Sequence, residues 1–137
     1  MLNSSKESGR NKRRWKRFQV PNGAVVTISK PSMLKLGKSV QVTLGPIKDI
    51  GMKGLAVQYV ETKKLLDNVK SISIMVPGKG MVVENIRFRT VANFEVAHLP
   101  NNKSIRTLCV SFDKLLPMQK VKLERFIDDC AAATGQT

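Results

Sequence analysis

The sequence has few of the residues that build metal sites, disulfide frameworks or catalytic centres. Its 137 residues include two cysteines and one histidine, and Cys109 and Cys130 show no CxxC spacing. A zinc site and a disulfide framework are therefore not expected, and both cysteines, which lie in apolar patterns, are predicted to be buried thiols. No nucleophile has a neighbouring base, and no paired acids or phosphate loop occur. The sequence predicts a binding protein without a cofactor or metal, rather than an enzyme.

Long apolar runs and acidic residues are also scarce. No run reaches 18 apolar residues, and residues 1–10 lack the apolar core of a signal peptide, which predicts a cytoplasmic protein without a membrane span. Lys and Arg number 24 against 10 Asp and Glu, a formal charge of +14, so an anionic partner is expected: a nucleotide, a nucleic acid or a membrane surface. Aromatic residues make up 5% of the chain, too few for the stacking platform that single-stranded nucleic acids prefer.

The N-terminal part of the chain is polar and basic. Residues 1–11 cannot bury enough apolar area to offset the entropy of ordering, which predicts a flexible arm. The run Arg13-Arg14-Trp15-Lys16-Arg17 follows. Guanidinium groups bind phosphate oxygens and the O6/N7 edge of guanine in pairs. Trp15 could stack on a base, but we expect it to anchor the arm on the folded domain.

A second stretch, Asp49-Ile50-Gly51-Met52-Lys53-Gly54, places one carboxylate beside two glycines. A carboxylate offers the acceptors that the N1 and N2 donors of guanine require. Either stretch alone is weak evidence, because Arg10-xxx-Arg14 repeats the arginine spacing and because Asp and Gly are ordinary turn residues. Taken together, the two stretches indicate a site for a ligand that carries both phosphate and guanine.

The rest of the chain predicts a mainly β fold. Apolar patterns and turn residues predict strands at 18–28, 40–44, 55–60, 72–76, 81–97 and 105–112. The first has an early turn, and the second ends at Gly45-Pro46 or resumes at 47–50. The range 81–97 is two strands or one bent strand. Residues 61–70 predict a turn or a short helix. Pro117 and an apolar stripe predict a helix at 117–132, its stripe formed by Leu123, Phe126, Ile127 and Cys130. We therefore expect one domain at 12–133, a small six- to seven-stranded antiparallel β-barrel with a C-terminal helix covering an open end.

Three sequence features occur in a recognisable order: Arg13-xxx-Arg17 before the first strand, Asp49-x-Gly51-xx-Gly54 between early strands, and Cys109-Val110-Ser111-Phe112 ahead of the terminal helix. Over about residues 12–132 this arrangement resembles a PilZ domain. The resemblance implies a six-stranded barrel that binds cyclic di-GMP through an RxxxR motif and a (D/N)xSxxG motif. It also implies a bacterial receptor for this second messenger, of the kind that controls motility, exopolysaccharide and biofilm, or virulence.

The resemblance assigns a role to each matched residue. Arg13 and Arg17 would bind phosphate and a face or edge of guanine, and Arg14 is an additional guanidinium beside them. Asp49 would accept hydrogen bonds from guanine N1 and N2. Gly54 matches the last glycine of the second motif, where a turn needs a positive φ or a close backbone approach.

Gly51 departs from the family pattern, which usually has serine at this position. The change removes one hydroxyl hydrogen bond, worth about 0.5–1.5 kcal/mol, so we expect weakened rather than abolished binding. We expect Gly51 to have a negative φ, because Gly54 already supplies the turn, and restoring serine is then expected to strengthen binding. A positive φ would instead add strain that could cancel the gain.

Three functions are compatible with these observations. The first is a cyclic di-GMP receptor whose basic arm becomes ordered on binding and which signals to a downstream protein partner. The second is a degenerate PilZ-type adaptor that does not bind the ligand, for which Gly51 is the main argument. The third is a basic β-domain that binds nucleic acid through its phosphate backbone.

Overall fold

Seven strands followed by one helix form the part of the chain that the computed structural model describes, which is residues 16–31, 39–62 and 64–133. The elements are β1 (Phe18–Gln19), β2 (Val25–Pro31), β3 (Ser39–Ile50), β4 (Gly54–Val60), β5 (Ser71–Val76), β6 (Gly80–His98), β7 (Ser104–Phe112) and α1 (Pro117–Ala133). Residues 64–68 form turns, which is one of the two alternatives predicted for that segment. The predicted arm at 1–11 lies outside the described residues, as do Arg13, Arg14 and Trp15.

Six of the strands close into an antiparallel barrel. The strand order is β3-β2-β5-β6-β7-β4, and pairing between β3 and β4 completes the ring. The two-residue strand β1 is added at the end of β3, where Phe18 pairs with Ile50 and Gln19 with Asp49. The predicted antiparallel barrel with a C-terminal helix is therefore confirmed.

Strand β3 continues through Gly45-Pro46, where the sequence suggested an end. Pro46 pairs with Val25 of β2, and the next residue, Ile47, pairs with Val57 of β4. The Ile47 N–H also donates to the Ala24 carbonyl at 3.1 Å. Proline is tolerated because β3 changes its partner strand there, so the missing N–H does not interrupt the middle of either ladder.

Strand β6 is a single irregular strand of 19 residues rather than two strands. Its pairing with β5 ends at Arg87. From Phe88 onward, β7 is its one strand neighbour within the described residues. In this half the register shifts twice against β7, which leaves Val91 and Val96 as extra residues. Such bulges bend a strand and increase its twist. Of the two alternatives predicted for 81–97, the single bent strand is therefore the one found.

The core combines the inward side chains of the strands with the stripe of α1. The largest fully buried side chains are Val26, Ile28, Ile50, Leu55, Val57, Ile72, Ile74, Val83, Ile86, Leu108, Val110 and Leu123. The predicted helix stripe of Leu123, Phe126, Ile127 and Cys130 is buried in full. No helix in the described ranges is long and apolar enough to cross a bilayer.

The two cysteines differ in environment, and the prediction for Cys109 was wrong. Cys130 is buried, and this burial, followed by the negative charge of Asp129, raises the pKa of its thiol. Cys109 is only partly buried. It lies between the inward-facing Leu108 and Val110 on β7, and alternation along a strand therefore turns it to the outer face of the barrel.

The start of α1 is fixed to the barrel by Gln119. Its Oε1 accepts a hydrogen bond from the Leu116 N–H at 2.9 Å, which satisfies one of the unpaired donors at the helix N-terminus. Its Nε2 donates to the carbonyl oxygens of Glu84 at 2.8 Å and Asn85 at 3.0 Å. The first turn of the helix is thus held on β6.

Candidate functional site

The N-terminal segment and the end of β3 meet through an ion pair. Pairing of β1 with β3 brings Arg17 to the start of the β3–β4 turn. There its Nη1 donates to Asp49 Oδ1 at 2.8 Å, across 32 positions of sequence. The side chains of Arg17 and Asp49 are 46% and 40% exposed, respectively. An ion pair this accessible to water contributes about 0–1 kcal/mol, so an incoming ligand can displace or share it at little cost.

Gly51 lies directly against the N-terminal segment. Its N–H donates to the Gly54 carbonyl at 2.9 Å and so closes the turn between β3 and β4. Its φ is outside the left-handed region, as expected from the sequence. However, a Cβ at this position would lie 2.5 Å from the Lys16 carbonyl oxygen and 3.4 Å from Arg17 Cδ. Glycine is therefore required for space: it lets the backbone of residue 16 rest on the turn.

Gly54 is required for the same kind of reason. It pairs with Ser111 of β7. A Cβ here would overlap the Val110 carbonyl oxygen and lie 3.2 Å from the Ser111 Cα, while its φ is not positive. Of the two explanations offered by the sequence, the close backbone approach is the one found.

A floor of small side chains extends across the barrel from Asp49. Strand pairing aligns Asp49 with Ala56, Ala56 with Cys109, and Cys109 with Ala92, so the four share the outer face. The adjacent row is Gly54, Ser111 and Arg89. With neighbouring strands about 4.8 Å apart, the row from Asp49 to Ala92 is roughly 14 Å long. Cys109 and Ala92 are partly exposed, whereas Ala56 is only 6% exposed. A planar ring on this floor would therefore contact mainly Cys109 and Ala92, with the guanidinium of Arg17 and the carboxylate of Asp49 at one end of the row.

The structure brings four of the six predicted site residues together: Arg17, Asp49, Gly51 and Gly54 surround one turn. Arg13 and Arg14 precede the described residues. The floor was not predicted from the sequence. A signal for it is nevertheless present: outward positions of β4 and β7 carry Ala, Cys and Ser, where a solvated face usually carries charged residues. Among the described residues, no group of His, Cys, Asp and Glu is arranged to hold a metal ion.

No family model matches the chain, and no curated protein matches it in sequence. The PilZ domain of YcgR from Escherichia coli with c-di-GMP matches in structure at a TM-score of 0.59 and 14% identity, covering 90% of this chain and 94% of that one. MrkH of K. pneumonia in complex with c-di-GMP matches at 0.61 and 17% identity, covering 90% of this chain and 54% of MrkH. Apo MrkH matches at 0.59 and 16% identity, covering 88% and 50%.

These likenesses establish the fold. The chain has a PilZ-like fold, in agreement with the resemblance seen in the sequence. It spans about half the length of MrkH. The matched proteins are described as a domain with c-di-GMP and as a c-di-GMP-dependent transcription regulatory factor.

Proposed function

We propose that this protein is a cytoplasmic bacterial receptor for cyclic di-GMP. The observation that carries the proposal is the contact between Arg17 and Asp49. These residues come from two separate stretches of sequence, each suited to one half of a guanine nucleotide, and they meet at one turn. Two similarly folded proteins, the PilZ domain of YcgR and MrkH, are described with c-di-GMP, which supports the same ligand here.

In this proposal each group at the turn has a distinct role. The Arg17 guanidinium binds a phosphate or the O6/N7 edge of a guanine. Asp49 accepts from guanine N1 and N2: although its Oδ1 accepts from Arg17, a carboxylate has about four acceptor sites, and the others remain for the ligand. The floor beside Asp49 supports the flat ring system. Arg13 and Arg14 bring two further guanidiniums to the phosphates.

The basic arm is the element that responds to the ligand. Arg17 belongs to the same segment as Arg13 and Arg14, so binding at the turn draws this segment onto the barrel. Ordering of the arm then changes the surface offered to a downstream protein partner, which regulates a process such as motility or biofilm formation.

A second candidate is a PilZ-type adaptor that does not bind the dinucleotide. The observation that favours it is the close packing of Lys16 on Gly51, because the space that a serine side chain would occupy is taken by backbone. In that case the Arg17–Asp49 pair only holds the N-terminal segment in place.

Isothermal titration calorimetry with cyclic di-GMP, GTP and a short DNA duplex at physiological salt tests the proposal. A receptor binds cyclic di-GMP more tightly than GTP. Arg17→Ala should reduce this affinity strongly, and Arg17→Lys nearly as much, because an ammonium cannot make the paired contacts of a guanidinium. Lys70→Ala removes an exposed charge elsewhere and should have little effect. Absence of binding would favour the adaptor, and tighter binding of DNA that displaces the dinucleotide would favour a nucleic-acid binder.

A further inference from the structure

A cleft of about 540 Å³ lies between the β3–β4 turn, the end of β7 and the start of α1. Its apolar part is formed by Met52, Phe112 and Leu115, which are half-buried and packed against the core. A volume of this size accommodates a large apolar side chain together with its neighbours along a peptide. The cleft is separate from the floor beside Asp49, because its lining comes from the other end of the turn and from the helix.

The rim of this cleft is strongly basic. It is lined by Lys53, Lys114 and Lys120, and the single carboxylate among the lining residues is Glu124. In the part of the chain that the structure describes, neither Lys114 nor Lys120 forms a salt bridge. The rim of the cleft therefore presents a net positive charge around the apolar side chains of Met52, Phe112 and Leu115.

The position of Lys120 is unfavourable for the helix itself. The positive end of a helix dipole is its N-terminus, where acidic side chains stabilise and basic ones destabilise by about 0.3–1 kcal/mol. The first turn of α1 carries no acid, and its last turn carries no base. The stability of α1 therefore does not explain a lysine at position 120. An anionic partner bound in the cleft would explain it.

We propose that this cleft is a docking site for an acidic segment of a partner protein that inserts an apolar side chain. The apolar part of the cleft suits an apolar side chain, and Lys114 and Lys120 suit carboxylates on either side of it. A phosphate backbone fits less well, because the rim lacks arginine forks and because such a backbone brings no apolar group to fill the space between Met52, Phe112 and Leu115. The protein's own N-terminal arm is excluded as occupant by its charge: residues 1–17 contain seven cations and one acid.

The β3–β4 turn connects this cleft to the Arg17–Asp49 site. Gly51 contacts the backbone of Lys16 on one side. The two residues that follow it line the cleft, and the Lys53 carbonyl accepts from the Phe112 N–H at 2.8 Å. The opposite wall, α1, is anchored on β6 by Gln119. A ligand that shifts the turn therefore changes the width of the cleft. This coupling rests on the proposed function, but docking of an acidic segment does not.

Fluorescence anisotropy with the full chain and a labelled hexapeptide, Glu-Asp-Phe-Glu-Asp-Leu, tests the docking. One comparison peptide carries Gln and Asn in place of the acids, and another carries Ser in place of Phe and Leu. The first peptide should bind, and both comparison peptides should bind at least about fivefold more weakly. The double variant Lys114→Glu with Lys120→Glu should lose at least about tenfold in affinity for the acidic peptide.

The matched control is Lys70→Glu with Lys103→Glu, which makes the same change in net charge at two exposed lysines outside the cleft. It should lose less than about threefold. Equal losses in both double variants, or equal binding of the uncharged peptide, would overturn the proposal. So would tighter binding of a 12-base-pair DNA duplex or of phosphatidylglycerol vesicles through Lys114 and Lys120.

Repeating the titration with saturating cyclic di-GMP tests the coupling separately. A change in peptide affinity of about fivefold or more is expected for two coupled sites. If cyclic di-GMP binds and peptide affinity stays the same, the turn does not connect the sites. If cyclic di-GMP does not bind at all, the receptor function and the coupling both fail, whereas the docking stands on the peptide data alone.

Discussion

Substitution of Gly51 by serine should weaken the binding of cyclic di-GMP, contrary to the expectation from the sequence and although serine is the usual residue of the PilZ motif. The backbone at Gly51 is not left-handed, so serine introduces no φ strain. The obstacle is space, since the new Cβ would lie 2.5 Å from the Lys16 carbonyl oxygen and ordinary contact begins near 3.4 Å. The backbone of residue 16 must therefore move by roughly 0.9 Å.

The expected magnitude follows from what moves with that backbone. Arg17 is the next residue, and its Cδ is already 3.4 Å from the Cβ position. Inserting an extra carbon into a packed contact costs about 1–3 kcal/mol, which corresponds to roughly 5- to 150-fold in affinity if the arginine is misplaced. A serine hydroxyl that regained its hydrogen bond would recover about 0.5–1.5 kcal/mol of this. Gly51→Ala should therefore lose more affinity than Gly51→Ser, and both should bind more weakly than the natural chain.

Calorimetric titration of the three proteins with cyclic di-GMP measures these differences. Thermal unfolding supplies the control: β1 comprises only two residues, so displacement of the N-terminal segment should leave the melting temperature of the barrel nearly unchanged. The reasoning would be refuted if Gly51→Ser bound cyclic di-GMP more tightly than the natural chain and Gly51→Ala bound it equally well. That result would mean that Lys16 leaves the turn when the ligand binds.

Asp49→Asn should lower cyclic di-GMP affinity at least about tenfold in calorimetry, because charge-assisted hydrogen bonds worth about 1.5–3 kcal/mol are lost; an unchanged affinity would remove Asp49 from the site. Cys109, partly exposed on the floor, should react with Ellman's reagent in the folded protein and be protected by cyclic di-GMP, with Cys109→Ser as the silent control; reaction at the same rate with ligand would place the ligand elsewhere. Leu123→Ala should reduce the free energy of unfolding in urea by about 2–5 kcal/mol, and a loss below about 1 kcal/mol would show that α1 contributes little to the core. The raised pKa of Cys130 means that its neutral thiol stabilises the fold fully below pH 9.0, its ordinary value, and that this contribution is lost as pH rises through the folded pKa. The stability of Cys130→Ala should therefore decline less between pH 8 and pH 11, and parallel declines would contradict the shift.

The barrel and its helix could be predicted because their signals are local. Apolar patterns located the strands, although β1 and β2 were predicted as one strand with an early turn. The spacing of Leu123, Phe126, Ile127 and Cys130 identified the buried stripe of α1. The end predicted at Gly45-Pro46 was not found, because the change of partner strand that accommodates the proline is a property of the closed sheet. The choice between one strand and two for β6 likewise could not be made from the sequence, because it depends on the pairing of residues 88–98 with β7.

The candidate site could be predicted in its residue types but not in its packing. Arg17 and Asp49 were identified from chemistry and resemblance, and pairing of β1 with β3 brings them into contact. The contact between Lys16 and Gly51 depends on a distance across the fold, which no local pattern encodes. The cleft beside α1 was missed for the same reason, since its lysines come from the β3–β4 turn, the segment after β7, and the helix.

The two bulges of β6 have a consequence for solubility. From Phe88 to His98 this strand has a free edge among the described residues, and the edge exposes three large apolar side chains, Val91, Phe94 and Val96. A flat edge of this composition is a template onto which another chain can add a strand. Val91 and Val96 interrupt that template by twisting the edge. Loss of either residue by deletion should straighten the edge and favour aggregation.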